Sequence, residues 1–175
     1  PQLRYSRLTA SINTIGKSDE ELMAAFDKNE PLTVEELLYT ATLTNDNNKK
    51  AAIYARCVKE YPNDYRGYNN LGNIQYQNQD YTTALTNFNK AAQLNPASKE
   101  VAMNKGLLSL VNKDYSAANA SFSNASGLEN LGDALGVYYL TQGDNAAAVK
   151  AFGASKTNNA ALAQILTKDY ASAKN

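Results

Sequence analysis

The chain has 175 residues, 43% of them hydrophobic, and its 17 cationic and 17 anionic side chains cancel to a formal net charge of zero. That is enough apolar material for one domain or one array of repeats, without the basic excess of a nucleic-acid binder. With no histidine and a single cysteine, intramolecular disulfides and the usual zinc sites are excluded, and no apolar run approaches the length of a membrane span.

Residues 3–15 place Leu8, Ile12 and Ile15 at helical spacing. Gly16 is suited to stop that helix. Ser18-Asp19-Glu20-Glu21 reads as a capping box that opens a second helix, with Leu22, Ala25 and Phe26 on its apolar face and Pro31 expected to end it. Residues 1–30 are thus expected to form a helical segment packing on an array that fills 31–175. Thr33-Val34-Glu35-Glu36 is another capping box, opening a helix to about Leu43. Asn45 to Asn48 make a turn, and residues 49–60 form the partner helix, with Ile53, Tyr54, Cys57 and Val58 apolar. Tyr61-Pro62-Asn63-Asp64 breaks it. The clearest pair follows: Tyr65–Gln77, a turn at Asn78-Gln79-Asp80, then Tyr81–Leu94, closed by Asn95-Pro96. Lys99–Val111, a turn at Asn112-Lys113 and Asp114–Ser126 repeat the arrangement.

The repetition is literal. Leu71-Gly72, Asp80-Tyr81, Ala84, Phe88 and Ala91 recur 34 positions later as Lys105-Gly106, Asp114-Tyr115, Ala118, Phe122 and Ala125. The interval then shortens to 30, with Gly106, Asp114 and Phe122 answered by Gly136, Asp144 and Phe152. One helical turn and the closing proline are lost there. A tighter echo runs over Asn159–Leu166 and Lys168-Asp169-Tyr170. A fixed period of this length marks stacked helix–turn–helix units. Such units cannot bury their apolar faces alone and pile into a solenoid. The predicted fold is all-α: antiparallel hairpins (31–64, 65–98, 99–128, 129–156 and a partial 157–175) in a right-handed superhelix of about ten helices. The abrupt ends at Pro1 and Asn175 suggest a fragment of a longer array.

Tyr68, Leu71, Gly72, Tyr81, Ala84, Phe88, Ala91 and Pro96 together resemble the tetratricopeptide repeat signature. Gln75 departs from it, standing where an aromatic is usual. The resemblance implies a concave groove lined by the first helix of each hairpin, and a protein or peptide partner. By register the groove-facing residues are Arg66, Asn69, Asn73, Tyr76 and Gln77, then Met103, Asn104, Leu107 and Leu110, then Asn130, Asp133 and Val137. Asn73 and Asn104 fall where peptide-binding members present asparagine, whose carboxamide both donates and accepts. The subgroup that clamps a C-terminal carboxylate needs cations where this chain has Asn69, Asn130 and Ala134; binding of that kind is not expected. Met103, Leu107 and Leu110 form an apolar stripe that is either a partner pocket or, the favoured reading, core beneath the next repeat.

The segments Leu3 to Leu8 and Thr33 to Tyr39 are also similar to outer-membrane-protein-A-like proteins of Gram-negative bacteria, implying a periplasmic or outer-membrane-associated scaffold, with the cytoplasm as the alternative. Gly16-Lys17-Ser18 mimics a phosphate-binding loop, but Ser11 occupies the required glycine position. Asn119-Ala120-Ser121 and Asn124-Ala125-Ser126 are formal glycosylation acceptors on a repeat helix. Cys57 sits at a small-residue core position, and without histidine no ordinary nucleophile–base pair can form. No catalytic residue, metal or cofactor is expected. The expected partners are proteins or peptides, neither nucleic acid nor membrane, and end-to-end self-association is the alternative mode of action.

Overall fold

The structure, a computed structural model, describes residues 16–168. The helix expected over 3–15 and the echo at Asp169-Tyr170 lie outside the described residues. Among the described residues there are ten α-helices and one 3-10 turn, with no strand. Helix α1 is Asp19–Asp27, and α2 (Val34–Thr40) runs into the 3-10 turn Ala41–Leu43. Then come α3 (Asn47–Glu60), α4 (Tyr65–Gln77), α5 (Tyr81–Leu94), α6 (Lys99–Val111), α7 (Tyr115–Asn124), α8 (Leu131–Thr141), α9 (Asn145–Phe152) and α10 (Asn158–Leu166).

Side-chain caps start these helices where the sequence places them. Both capping boxes form: the Glu21 amide donates to Ser18 Oγ at 3.2 Å and the Ser18 amide to Glu21 Oε2 at 2.7 Å, and Thr33 and Glu36 repeat the exchange. The recurring aspartate of the repeat is the N-cap of each second helix. Asp80, Asp114 and Asp144 accept from the amides of Thr83, Ala117 and Ala147. The residue before each aspartate is left-handed, at φ 63 for Gln79, 59 for Lys113 and 75 for Gly143. The aspartate amide then reaches back to the carbonyls of Gln75, Ser109 and Tyr139, the six-to-one bond that closes a helix end. One chemistry thus terminates the first helix and initiates the second.

Helices α4 and α5, α6 and α7, and α8 and α9 pack as antiparallel pairs, and α3 on α4, α5 on α6 and α7 on α8 join successive pairs. Inside each hairpin a phenyl ring lies over a glycine. A Cβ on Gly72 would sit 2.8 Å from Phe88, and one on Gly106 or Gly136 would sit 2.5 Å from Phe122 or Phe152. Phe88 and Phe122 are fully buried. Leu22, Leu37, Ile53, Cys57 and Ile74 bind α1 to the first two hairpins, while Ala148, Phe152, Ala160 and Ala163 close the far end.

Four boundaries differ from expectation. Helix α1 ends at Asp27, ahead of Pro31, because Asn29 turns left-handed at φ 56 and the Glu30 amide closes on the Ala25 carbonyl. Helix α3 starts at Asn47, with Asp46 as its cap. After Thr40 the chain tightens into a 3-10 turn, so α2 proper is shorter than expected. Helix α7 stops at Asn124, where Gly127 at φ 90 begins the shortened passage to α8.

Candidate functional site

The first helices α4, α6 and α8 touch one another directly in succession, and α10 touches α8. No comparable contact joins the second helices, so the array is tightest along the first helices and those line its inner side. The polar part of this inner face centres on α4. There a cavity of about 220 Å³ is lined by Leu38, Tyr65, Arg66, Asn69, Asn70 and Glu100, drawn from α2, α4 and α6.

Arg66 is held from two sides. Its guanidinium donates in fork geometry to Glu35 of α2, at 2.8 and 3.1 Å. It also donates to Asp64, at 2.7 Å from Nη2 and 3.0 Å from Nε. Asp64 at the same time caps α4 through the Arg66 amide. The Arg66 side chain beside it holds the Asp64 carboxyl below its ordinary range, and the two carboxylates push Arg66 further up. Asn69 is buried, and its Oδ1 accepts from Asn104 Nδ2 of the next hairpin at 3.0 Å. Arg66 and the Asn69–Asn104 pair therefore pin neighbouring repeats together on the inner face, a partnership between hairpins that register alone does not reveal. Asn73 and Gln77 are exposed, with Gln77 accepting from Asn47 at 3.2 Å. Tyr76 stacks edge-on against Tyr81 with ring centres 5.6 Å apart, beside buried Phe88 and Leu108, and burial raises its phenol pKa.

The apolar stripe goes the other way. Met103, Leu107 and Leu110 are half-buried against Phe122, Leu131 and Ala134 of the following units, so the shortened repeat covers much of it. Val137 is likewise drawn into the last cluster, whereas Asn130 and Asp133 are exposed.

The tetratricopeptide repeat family profile matches residues 65–98, the helices α4 and α5 with the loop that leaves them. Residues 65–98 are a tetratricopeptide repeat. No curated protein matches the chain by sequence. Solved structures show that the tetratricopeptide architecture extends well beyond the matched unit. A tetratricopeptide repeat protein from Parabacteroides merdae superposes over 89% of this chain and 68% of its own, with a TM-score of 0.68 at 16% identity. A thermophilic tetratricopeptide protein of Thermus thermophilus covers 89% of this chain and 88% of its own, TM-score 0.64, at 21% identity. Cut9, solved in the Cut9–Hcn1 hetero-tetramer of the APC/C, reaches a TM-score of 0.73 at 15% identity over 89% of this chain and 35% of its own.

In this tetratricopeptide setting the motif-like residues have local duties. Lys17 Nζ pairs with Glu36 at 2.7 Å and Ser18 caps α1; neither is part of a loop leading from a strand. Cys57 is fully buried against Gly67 of the tetratricopeptide unit. Burial pushes its thiol up to about 11, so at neutral pH it is a protonated core side chain. Asn119 and Asn124 are exposed on α7. Among the described residues no helix is long and apolar enough to cross a membrane.

Proposed function

We propose that the chain is a non-catalytic protein-interaction scaffold that receives an extended peptide segment along the inner face of its first helices. The observation that carries this reading is the open cavity at α4, floored by Asn69 and Asn70 and continued by exposed Asn73, on a repeat whose form is made to present such a face. Cut9 in its complex with Hcn1 is a solved protein of the same architecture holding a partner. Asn73, Asn104 and Tyr76 are the polar and aromatic contacts offered to the peptide, and Arg66 and Asn69 shape the wall. Substituting Asn73→Ala and Asn104→Ala together and repeating affinity capture from native extract tests the reading. Loss of specific partners is expected; unchanged recovery of every partner would remove the groove from the mechanism.

A second mode, end-to-end assembly, is favoured by one observation: Leu162, Ile165 and Leu166 of α10 are all about half exposed, at 45%, 47% and 50%. Light scattering across a concentration series decides it, and a constant monomer mass would eliminate it. The placement at a Gram-negative cell envelope rests on the resemblance of the segments at 3–8 and 33–39. Fractionation of the source cells into cytoplasm, periplasm and outer membrane tests that placement.

A further inference from the structure

This inference rests on the peptide-groove reading and adds the class of peptide. The cavity at α4 has one cation among its lining residues, Arg66, and that cation is committed to Glu35 and Asp64. Glu100 stands on the opposite wall, exposed, its carboxylate accepting from the Ser98 hydroxyl at 2.9 Å. The rim thus gathers three carboxylates around a single guanidinium. Asp133, exposed on α8, continues the negative line along the inner face. The basic side chains Lys49, Lys50, Arg56 and Lys59 belong instead to the second helix α3, and Lys49 and Arg56 are paired there with Asp27 and Glu60. A chain of zero formal net charge therefore presents a negative groove.

The cavity floor supplies an independent observation. Asn69 is nine-tenths buried, at 9% relative exposure. Its Oδ1 is satisfied by Asn104 at 3.0 Å, but its amide nitrogen has only a 3.5 Å contact to Asn70 Oδ1. That distance lies outside the usual range for an N–H···O bond, which leaves a buried amide donor under-used in a polar cavity. A peptide carbonyl would satisfy it. We propose that the α4 cavity takes an extended peptide segment bearing a lysine or arginine, with a backbone carbonyl on the Asn69 amide and the cationic head at the Glu35 and Glu100 carboxylates.

Fluorescence anisotropy with the full chain and three labelled, end-capped octapeptides tests this: alternating lysine–alanine, glutamine–alanine and glutamate–alanine. The lysine peptide alone is expected to bind. Its affinity should fall roughly three- to tenfold in the Glu35→Gln/Glu100→Gln double variant, the scale of two partly exposed charge contacts, and fall further with added salt. Circular dichroism reports whether the double variant stays folded; Arg66 retains Asp64 in it. Removing two charges elsewhere, by Glu20→Gln and Glu30→Gln, should leave binding unchanged. Equal or tighter binding of the glutamate peptide, or lysine-peptide binding indifferent to the Glu35/Glu100 change, overturns the proposal. Failure of all three peptides while native partners are still lost on the Asn73/Asn104 substitution sinks the charge reading and leaves the groove standing. If capture ignores the groove but the lysine peptide still depends on Glu35 and Glu100, the cavity is a cation-peptide site that those partners do not use.

Discussion

Gln79 and Lys113 are L-residues held at positive φ in the same turn that Gly143 makes freely. A side chain in that region costs about 1 kcal/mol or more, partly offset by the extra unfolded-state entropy of glycine. Gln79→Gly and Lys113→Gly are therefore each expected to stabilise the fold by about 0.5 kcal/mol, and Gly143→Ala to destabilise it by about 1 kcal/mol, read from urea unfolding midpoints at constant slope. Charge at the residue scale sets the acid limit. The Lys17 hydrogen bond, with the Thr33 amide behind it, lowers the Glu36 pKa from its ordinary 4.5, and Arg66 lowers that of Asp64 from 3.8. A carboxyl depressed in the fold contributes stability above its ordinary pKa and loses it as pH falls through the folded value. Thermal stability should accordingly drop as pH falls below about 4.5. The drop should be shallower in Glu36→Gln and Asp64→Asn, because those variants lack a proton to take up; an unaltered profile would show that other groups govern the acid transition.

At the scale of elements, the phenyl-on-glycine contact is the joint of every hairpin from α4 to α9. Gly106→Ala would drive a methyl to 2.5 Å from the Phe122 ring. The ring is fully buried and cannot simply swing into solvent, so a cost of about 1–3 kcal/mol is expected, against the gain in helix propensity that alanine brings elsewhere. Equilibrium unfolding checks this, and Phe122→Leu introduced with it should recover part of the loss by making room. These joints were legible in the sequence because small and aromatic positions recur at fixed offsets, and the limits of α4, α5 and α6 followed residue for residue from Asp64, Asp80 and Ser98 as caps. The end of α1 was not legible, since a left-handed Asn29 leaves no mark as plain as Pro31. The groove was legible only as a list of inward positions. That Arg66 would be spent on Glu35, and Asn69 on Asn104, depends on how neighbouring hairpins are rotated against each other, which a period along the chain does not encode. The stripe at Met103, Leu107 and Leu110 shows the same limit: helical spacing names the face, and the shortened link from α7 to α8 decides that Phe122 and Leu131 cover it.

For the whole molecule, stability is distributed unevenly because each hairpin leans only on its neighbours. Helices α4 and α5, of 13 and 14 residues, are flanked by α3 on one side and α6 on the other. The later helices α9 and α10 have 8 and 9 residues, and α10 leaves Leu162, Ile165 and Leu166 half exposed. Short helices with one covered face open locally at lower free energy than the global transition. Amide hydrogen exchange followed by mass spectrometry should therefore show protection greatest in α4 and α5 and declining stepwise to α10. Phe152→Ala sharpens the test. Its ring is packed with Ala148, Ala160 and Ala163 in the cluster that joins α9 to α10, so its removal should cost that end about 3 kcal/mol and speed exchange from α8 to α10. Exchange in α2 through α5, which share none of those contacts, should stay as it was. Equal acceleration in every helix would mean that the array unfolds as one unit, and a single equilibrium constant would then describe it from α1 to α10.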